Sequence, residues 1–423
     1  MIHNAGEISG SEREILNHEQ HTANEQPSFH WERALPCLQG VKMKHKKRWL
    51  YLLCAAALAI SAVSLGYFRI PYVWIAGAWF VVTLYGALIS QKPSVKALWF
   101  NISVVILTLG VFESYLWLSG TPERVRKEYS STFALRHPIL GYGPRTNVPY
   151  SVTTYWRDHL VYQVTYTIDA RGFRISAPLH EEGNNTDCIL FFGDSFTLGE
   201  GVKDHEAMPS RVGQLSEGKY RTYNFGYHGY GPHQMLAILE NKLEDLPGCK
   251  PKFAVFQALR THVLRVAGLS PWDQHGPRYL LGKDGHVRFA GHFDDSVIPA
   301  LRKQLSKSLI GQMVLDKVNN NNLNNVDLFL GVVDAAKSTF ENRYAGASFH
   351  VIFWDTQDCP AERCREILEG LSKRNIRVHL ISNILPDYKE NELKYTIGYG
   401  DRHPSALAHE LIARYVVDRV LTQ

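Results

Sequence analysis

The run Ile189-Leu190-Phe191-Phe192 ends in Gly193-Asp194-Ser195, with Gly199 and Gly201 just beyond. Consecutive apolar residues closed by a glycine read as a buried strand that turns at once into a helix. A serine at such a turn exposes its hydroxyl, and its backbone amide points toward whatever binds there. Serine is weakly nucleophilic at neutral pH and needs a neighbouring base. Near the C-terminus, Asp401-Arg402-His403-Pro404 supplies an acid and a base. The order serine, aspartate, histidine is one that an acyl-transfer triad uses. Ser195 is then the nucleophile, His403 its base, and Asp401 the group that holds the imidazole tautomer. Alone, Gly-Asp-Ser marks only a turn; two blocks at opposite ends of an alternating strand and helix pattern argue for chemistry.

With these residues the chain resembles the SGNH/GDSL-type serine hydrolases, from about residue 187 to the C-terminus. The resemblance implies a doubly wound, flavodoxin-like α/β domain with a parallel five-stranded sheet in the order 2-1-3-4-5. It implies that Asn224-Phe225-Gly226-Tyr227-His228-Gly229-Tyr230-Gly231 is the family's second block. Gly229 would there add an oxyanion-holding amide to that of Ser195. Two departures stand out. Acid and base usually lie three apart, whereas Asp401 and His403 lie two apart, which leaves Asp387 as a distant substitute. The family's third oxyanion donor is an asparagine after the third strand, where this chain has Gln257-Ala258-Leu259-Arg260-Thr261-His262. His262 is the expected substitute and Thr261 the fallback. His409, one helical turn further on, reads as structural.

The elements that must position these groups follow from hydrophobic periodicity. Five apolar runs suit central parallel strands: Cys188–Phe192, Thr222–Phe225, Phe253–Leu259, Phe349–Trp354 and Val378–Ile381. Helical candidates lie between them, among them Gln234–Leu246 and Ala361–Lys373. In such a sheet, ligands sit at the carboxyl ends of the strands. An insertion at about 270–345 carries a hairpin candidate, Arg278–Leu281 with His286–Ala290, and an asparagine tract, Asn319–Asn322, that reads as a surface loop. A strand-rich lead-in from 119 to 186 precedes the hydrolase-like domain of 187–423 and is expected to lie beside it.

Residues 1–45 form a polar tail, read as disordered and cytoplasmic. Within 46–118, three apolar runs (Trp49–Phe68, Tyr72–Ser90 and Ala97–Leu118) are each about long enough to cross a bilayer. Lys42, Lys44, Lys46, Lys47 and Arg48 before the first run favour a cytoplasmic N-terminus. Three spans then put everything after Leu118 on the extracytoplasmic, periplasmic side of an inner membrane. Glu113 reads as a solvated interfacial carboxylate. The net charge of +5 comes largely from the basic cluster and gives no indication of nucleic acid. Cys54 and Cys188 read as buried thiols, and Cys359 with Cys364 as a candidate disulfide. No metal-ligand spacing occurs, and no cofactor is implied.

Three functions fit. The first is a membrane-anchored esterase that cleaves acyl esters, acetyl above all, on an envelope glycan or lipid. The second is an O-acyltransferase that hands the acyl group to a polysaccharide hydroxyl with a multi-span acyl-donor partner in the membrane. The third is a non-catalytic glycan-binding protein on the same fold.

Overall fold

The computed structural model describes residues 45–66, 72–119, 125–131, 133–176, 186–295, 305, 308–321, 325–357, 359–398 and 400–422. The expected N-terminal tail therefore lies outside the described residues, apart from residue 45. Contacts divide the chain into two compact units, Met1–Gly66 with Ile75–Leu107 and Tyr67–Trp74 with Thr108–Gln423.

The first unit contains apolar helices. Helices form over His45–Gly66, Tyr72–Ile89 and Pro93–Ser119, the last of which continues into the second unit from Thr108. Among the described residues only one, Pro93–Leu116, is long and apolar enough to cross a membrane; the apolar stretches Arg48–Leu58 and Trp74–Ile89 are shorter. The expectation of three candidate spans is corrected to one candidate on this ground, because a hydrocarbon core needs about 20 apolar residues. Thr83 and Ser103 hydrogen-bond to each other, side chain to side chain, at 3.0 Å.

In the second unit, three strands form an antiparallel sheet: β1 (Val125–Tyr129), β2 (Tyr150–Trp156) and β3 (His159–Tyr166), with β2 in the middle. Five more follow: β4 (Thr186–Phe192), β5 (Arg221–Asn224), β6 (Cys249–Ala258), β7 (Ser348–Phe353) and β8 (Arg377–Leu380). They make one parallel sheet in the order β8-β7-β6-β4-β5. Counted along the chain this is 2-1-3-4-5. The domain is an α/β fold on a five-stranded parallel sheet.

Period-two alternation splits the sheet's side chains between two cores. Cys188, Leu190 and Phe192 join the cluster under helices Pro232–Glu240, Asn325–Arg343 and Ala361–Lys373. Ile189 and Phe191 join the opposite cluster, under Met208–Leu215 and Ala406–Tyr415. Both faces are covered, which is why the strands read as continuous apolar runs. Tyr150, Val152, Tyr162 and Tyr166 of the three-stranded sheet belong to the first of these cores.

Some local expectations change. Cys188 is no free thiol: it is bonded to Cys249 on the adjacent strand, and Cys359 is bonded to Cys364. Glu113 is buried rather than solvated, and accepts hydrogen bonds from Ser308 Oγ (2.9 Å) and the amides of Leu309 (2.7 Å) and Ile310 (3.0 Å). It thereby satisfies the open amides that start helix Leu309–Asn321. That helix runs through Asn319 to Asn321, so this part of the asparagine tract is not loop. The expected helix Gln234–Leu246 is Pro232–Glu240, begun by proline in its first turn.

Candidate active site

β4 is completely buried from Ile189 to Phe192, then breaks at Gly193, whose φ is +150°. A Cβ there would lie 2.2 Å from Thr197 Oγ1, so only glycine allows the turn. Ser195 opens the short helix Ser195–Leu198, and Asp194 caps it by accepting from the Phe196 amide at 3.0 Å. Asp194 is held in turn by Arg265 (2.6 Å) and His262 (3.2 Å). Asn224, at the end of β5, steadies the turn by donating to the Thr197 carbonyl at 3.1 Å.

His403 Nε2 lies 2.7 Å from Ser195 Oγ, and His403 Nδ1 lies 2.5 Å from Asp401 Oδ1. The same oxygen accepts the His403 backbone amide at 3.1 Å. The spacing of two has a structural reason. Asp401–Pro404 is a strand, paired with Thr396–Gly398, and on a strand residues i and i+2 share a face. The distant acid, Asp387, stays out of the site, engaged by Tyr395 Oη (2.5 Å), Lys394 (3.2 Å) and Asn391 (3.1 Å).

The oxyanion candidates separate. Ser195, Gly229 and Thr261 line one cavity of about 840 Å³. Gly229 has φ +70°, and a Cβ on it would meet the Trp272 indole at 2.3 Å. His262 is not at this cavity. Its ring is fully buried behind the nucleophile turn, with Nδ1 accepting from the Leu259 amide (3.4 Å) and Nε2 facing Asp194. Both ring nitrogens are engaged, so it has no donor free for an oxyanion, and burial lowers its pKa to about 4. The Thr261 hydroxyl is buried and has no hydrogen-bond partner among the described residues. His409 accepts from the Met208 amide at 3.1 Å and ties two helices together.

The cluster also contains groups that motif reading passed over. Glu200 is 2 % exposed, yet its Oε2 lies 3.4 Å from His403 Nε2 and 2.6 Å from His228 Nδ1. Tyr162 Oη donates to it at 3.0 Å. Lys127 pairs with Glu200 and reaches Asp401 Oδ2 at 3.0 Å. Burial alone would raise the Glu200 carboxyl, but His403, His228 and Lys127 outweigh it and hold its pKa well below the usual range. Burial lowers His403, and Glu200 with Asp401 more than restore it, leaving it raised above 6.5. His228 goes the other way, its pKa lowered by burial. The signal in the sequence was an acid between two turn glycines, Gly199 and Gly201, each at φ +84°. Lys127 had none, because its partners lie far along the chain.

Glu200, Asp401 and His403 bring their ligand atoms close enough to surround a metal ion. Lys127 already supplies a cation between the two carboxylates.

No family model and no curated relative matches the chain. Solved structures similar to it include a member of the lipolytic G-D-S-L family from Veillonella parvula, at 14 % identity and TM-score 0.34 over 56 % of this chain and 100 % of that one. TesA matches at 15 % identity and TM-score 0.32, covering 55 % and 99 %. Est2A, an acetyl xylan esterase from Butyrivibrio proteoclasticus, matches at 12 % identity and TM-score 0.32, covering 70 % and 82 %. Likeness at this level carries none of the functional reading; the site's own geometry does.

Proposed function

We propose that the chain is a serine esterase. The single observation behind this reading is the unbroken hydrogen-bonded series Ser195–His403–Asp401 at the edge of a cavity. Ser195 Oγ attacks the ester carbonyl as its proton passes to His403 Nε2. The amides of Ser195 and Gly229 and the Thr261 hydroxyl hold the oxyanion. As the C–O bond breaks, His403 returns the proton to the leaving alcohol. Water then gives a proton to His403 and its oxygen to the acyl carbon, and Ser195 leaves with the returned proton.

The substrate we propose is an acylated glycan of the cell envelope, with acetyl the acyl group. A cavity of about 840 Å³ accommodates more than the acyl group alone, and Trp272, 56 % exposed at its rim, offers a flat face of the kind on which sugar rings stack. Anchoring by helix Pro93–Leu116 and an oxidising compartment fit the apolar helix and the two disulfides.

Labelling of the full-length protein by a fluorophosphonate tests the chemistry. Stoichiometric labelling lost in Ser195→Ala and His403→Ala is the expected result, and folded native protein that never labels overturns the reading. With an acetylated polysaccharide, hydrolysis releases free acetate. Mass gain on an added sugar acceptor would instead make the same acyl-serine a transferase.

A further inference from the structure

The three-stranded sheet does more than lie beside the α/β domain. Alternate residues of β1, Val125, Lys127 and Tyr129, line the catalytic cavity, while Arg126 and Glu128 on the other face pair with each other. Lys127 sits in register with Thr154 and, through it, Tyr162. Its neighbours on the same sheet reach the Glu200 turn directly or through His228. Tyr166 Oη accepts from the Gly201 amide at 2.8 Å, and Tyr150 Oη lies 3.0 Å from His228 Nε2. The chain just after the sheet contributes Arg174, whose guanidinium donates to the carbonyls of Leu198, Gly199 and Val202 at 2.7–2.8 Å. The Gly199-Glu200-Gly201 turn is thus held from one side by a separate sheet.

We propose that Lys127 is a positioning residue of this catalytic centre, clamping the carboxylates of Asp401 and Glu200 against the His403 ring, and that Glu200 is its second acid. The inference rests on the serine esterase reading. Two carboxylates buried around one imidazole repel each other, and a cation between them offsets that repulsion and fixes where each one points. Lys127 is that cation. With it in place, Asp401 keeps Oδ1 on Nδ1 and Glu200 faces Nε2, where the proton of Ser195 arrives during attack. Both charges favour the imidazolium formed at that moment. Among the described residues, the titratable or charged groups facing His403 are Asp401 on its own strand, Glu200 on the nucleophile loop, His228 on the glycine-rich block, Lys127 from β1, and His409 on the following helix. Only the first two are negative.

The test is the pH dependence of fluorophosphonate inactivation of the full-length protein, which requires no knowledge of the natural substrate. Inactivation rises with pH as His403 loses its proton. Glu200→Gln removes a negative charge, so its acid limb moves down by about one pH unit and its plateau rate falls about tenfold. Lys127→Met removes a positive charge and, because His403 and the buried hydrogen-bond donors keep both carboxylates ionised, moves the limb up, again with a slower plateau. Lys127→Arg keeps the charge and keeps the limb at its native position. A role in folding alone would lower thermal stability without moving either limb. Folded variants whose limbs do not move in these opposite senses overturn the proposal. If Lys127→Met does not fold, the double variant Lys127→Met/Glu200→Gln, which removes the cation together with one of its buried carboxylates, replaces it: an acid limb above that of Glu200→Gln alone supports the role of Lys127, and a limb equal to it overturns that role. Native protein that fails to label overturns the esterase reading itself, whereas native labelling with unmoved limbs overturns only the roles of Lys127 and Glu200.

Discussion

Thr261 lines the cavity, and its buried hydroxyl has no hydrogen-bond partner among the described residues. Such a group costs about 1–3 kcal/mol while unsatisfied, and a transition-state oxyanion beside it would remove that cost at the moment of reaction. Thr261→Val keeps the shape and deletes the donor. The expected outcome is a fall in kcat of about a hundredfold, with KM nearly unchanged and thermal stability equal or slightly higher. A variant with native kcat would remove Thr261 from the oxyanion hole. At this scale the sequence was a good guide where chemistry is local. Ser195 and His403 stood in recognisable blocks, and Asp401 was visible despite its odd spacing. Its failures were long-range. His262 fitted the missing asparagine by chain position alone, but Asp194 and the Leu259 amide engage its ring. Lys127 meets Glu200 and Asp401 across long stretches of chain, and no local pattern encodes such a meeting.

Elements explain why those residues reach one another. The nucleophile turn depends on Gly193, which has both a positive φ and no room for a Cβ. Gly193→Ala should cost about 1–3 kcal/mol from backbone strain and displace Thr197, whose hydroxyl donates to the Phe192 carbonyl at 3.1 Å. The expected readouts are a lower thermal midpoint and labelling of Ser195 slowed by at least tenfold, because a small misplacement of the nucleophile is costly. Native labelling in that variant would mean that the turn is not what aims Ser195. The central strands were legible because both faces are buried, and helix Ala361–Lys373 because its apolar residues recur with helical period. The apolar helices before residue 119 were legible with nearly their observed bounds, Tyr72–Ile89 above all; how many of them are long and apolar enough to cross a membrane was not.

For the molecule as a whole, the boundary drawn from sequence at residue 187 separates segments that share one core. Tyr150, Val152, Tyr162, Tyr166 and Ile168 from the lead-in pack in the same cluster as Leu190, Phe192, Phe225 and Tyr227. A fully buried large apolar side chain contributes about 1.5–3 kcal/mol. Five of them together therefore contribute roughly 10 kcal/mol, comparable to the net stability of about 5–15 kcal/mol typical of a folded protein. Removing the lead-in also strips Lys127 from two buried carboxylates and Arg174 from the Glu200 turn. A fragment covering 187–423 is therefore expected to melt without a cooperative transition, or to aggregate, and not to label with a fluorophosphonate. A fragment covering 120–423 retains both sheets and is expected to unfold in one cooperative step and to label at Ser195. Circular dichroism melts of the two fragments, run with the labelling assay, check this. A cooperative, labelling-competent 187–423 would mean that the α/β domain builds its own acid side, and that the lead-in sheet is an accessory to the site instead of one of its walls.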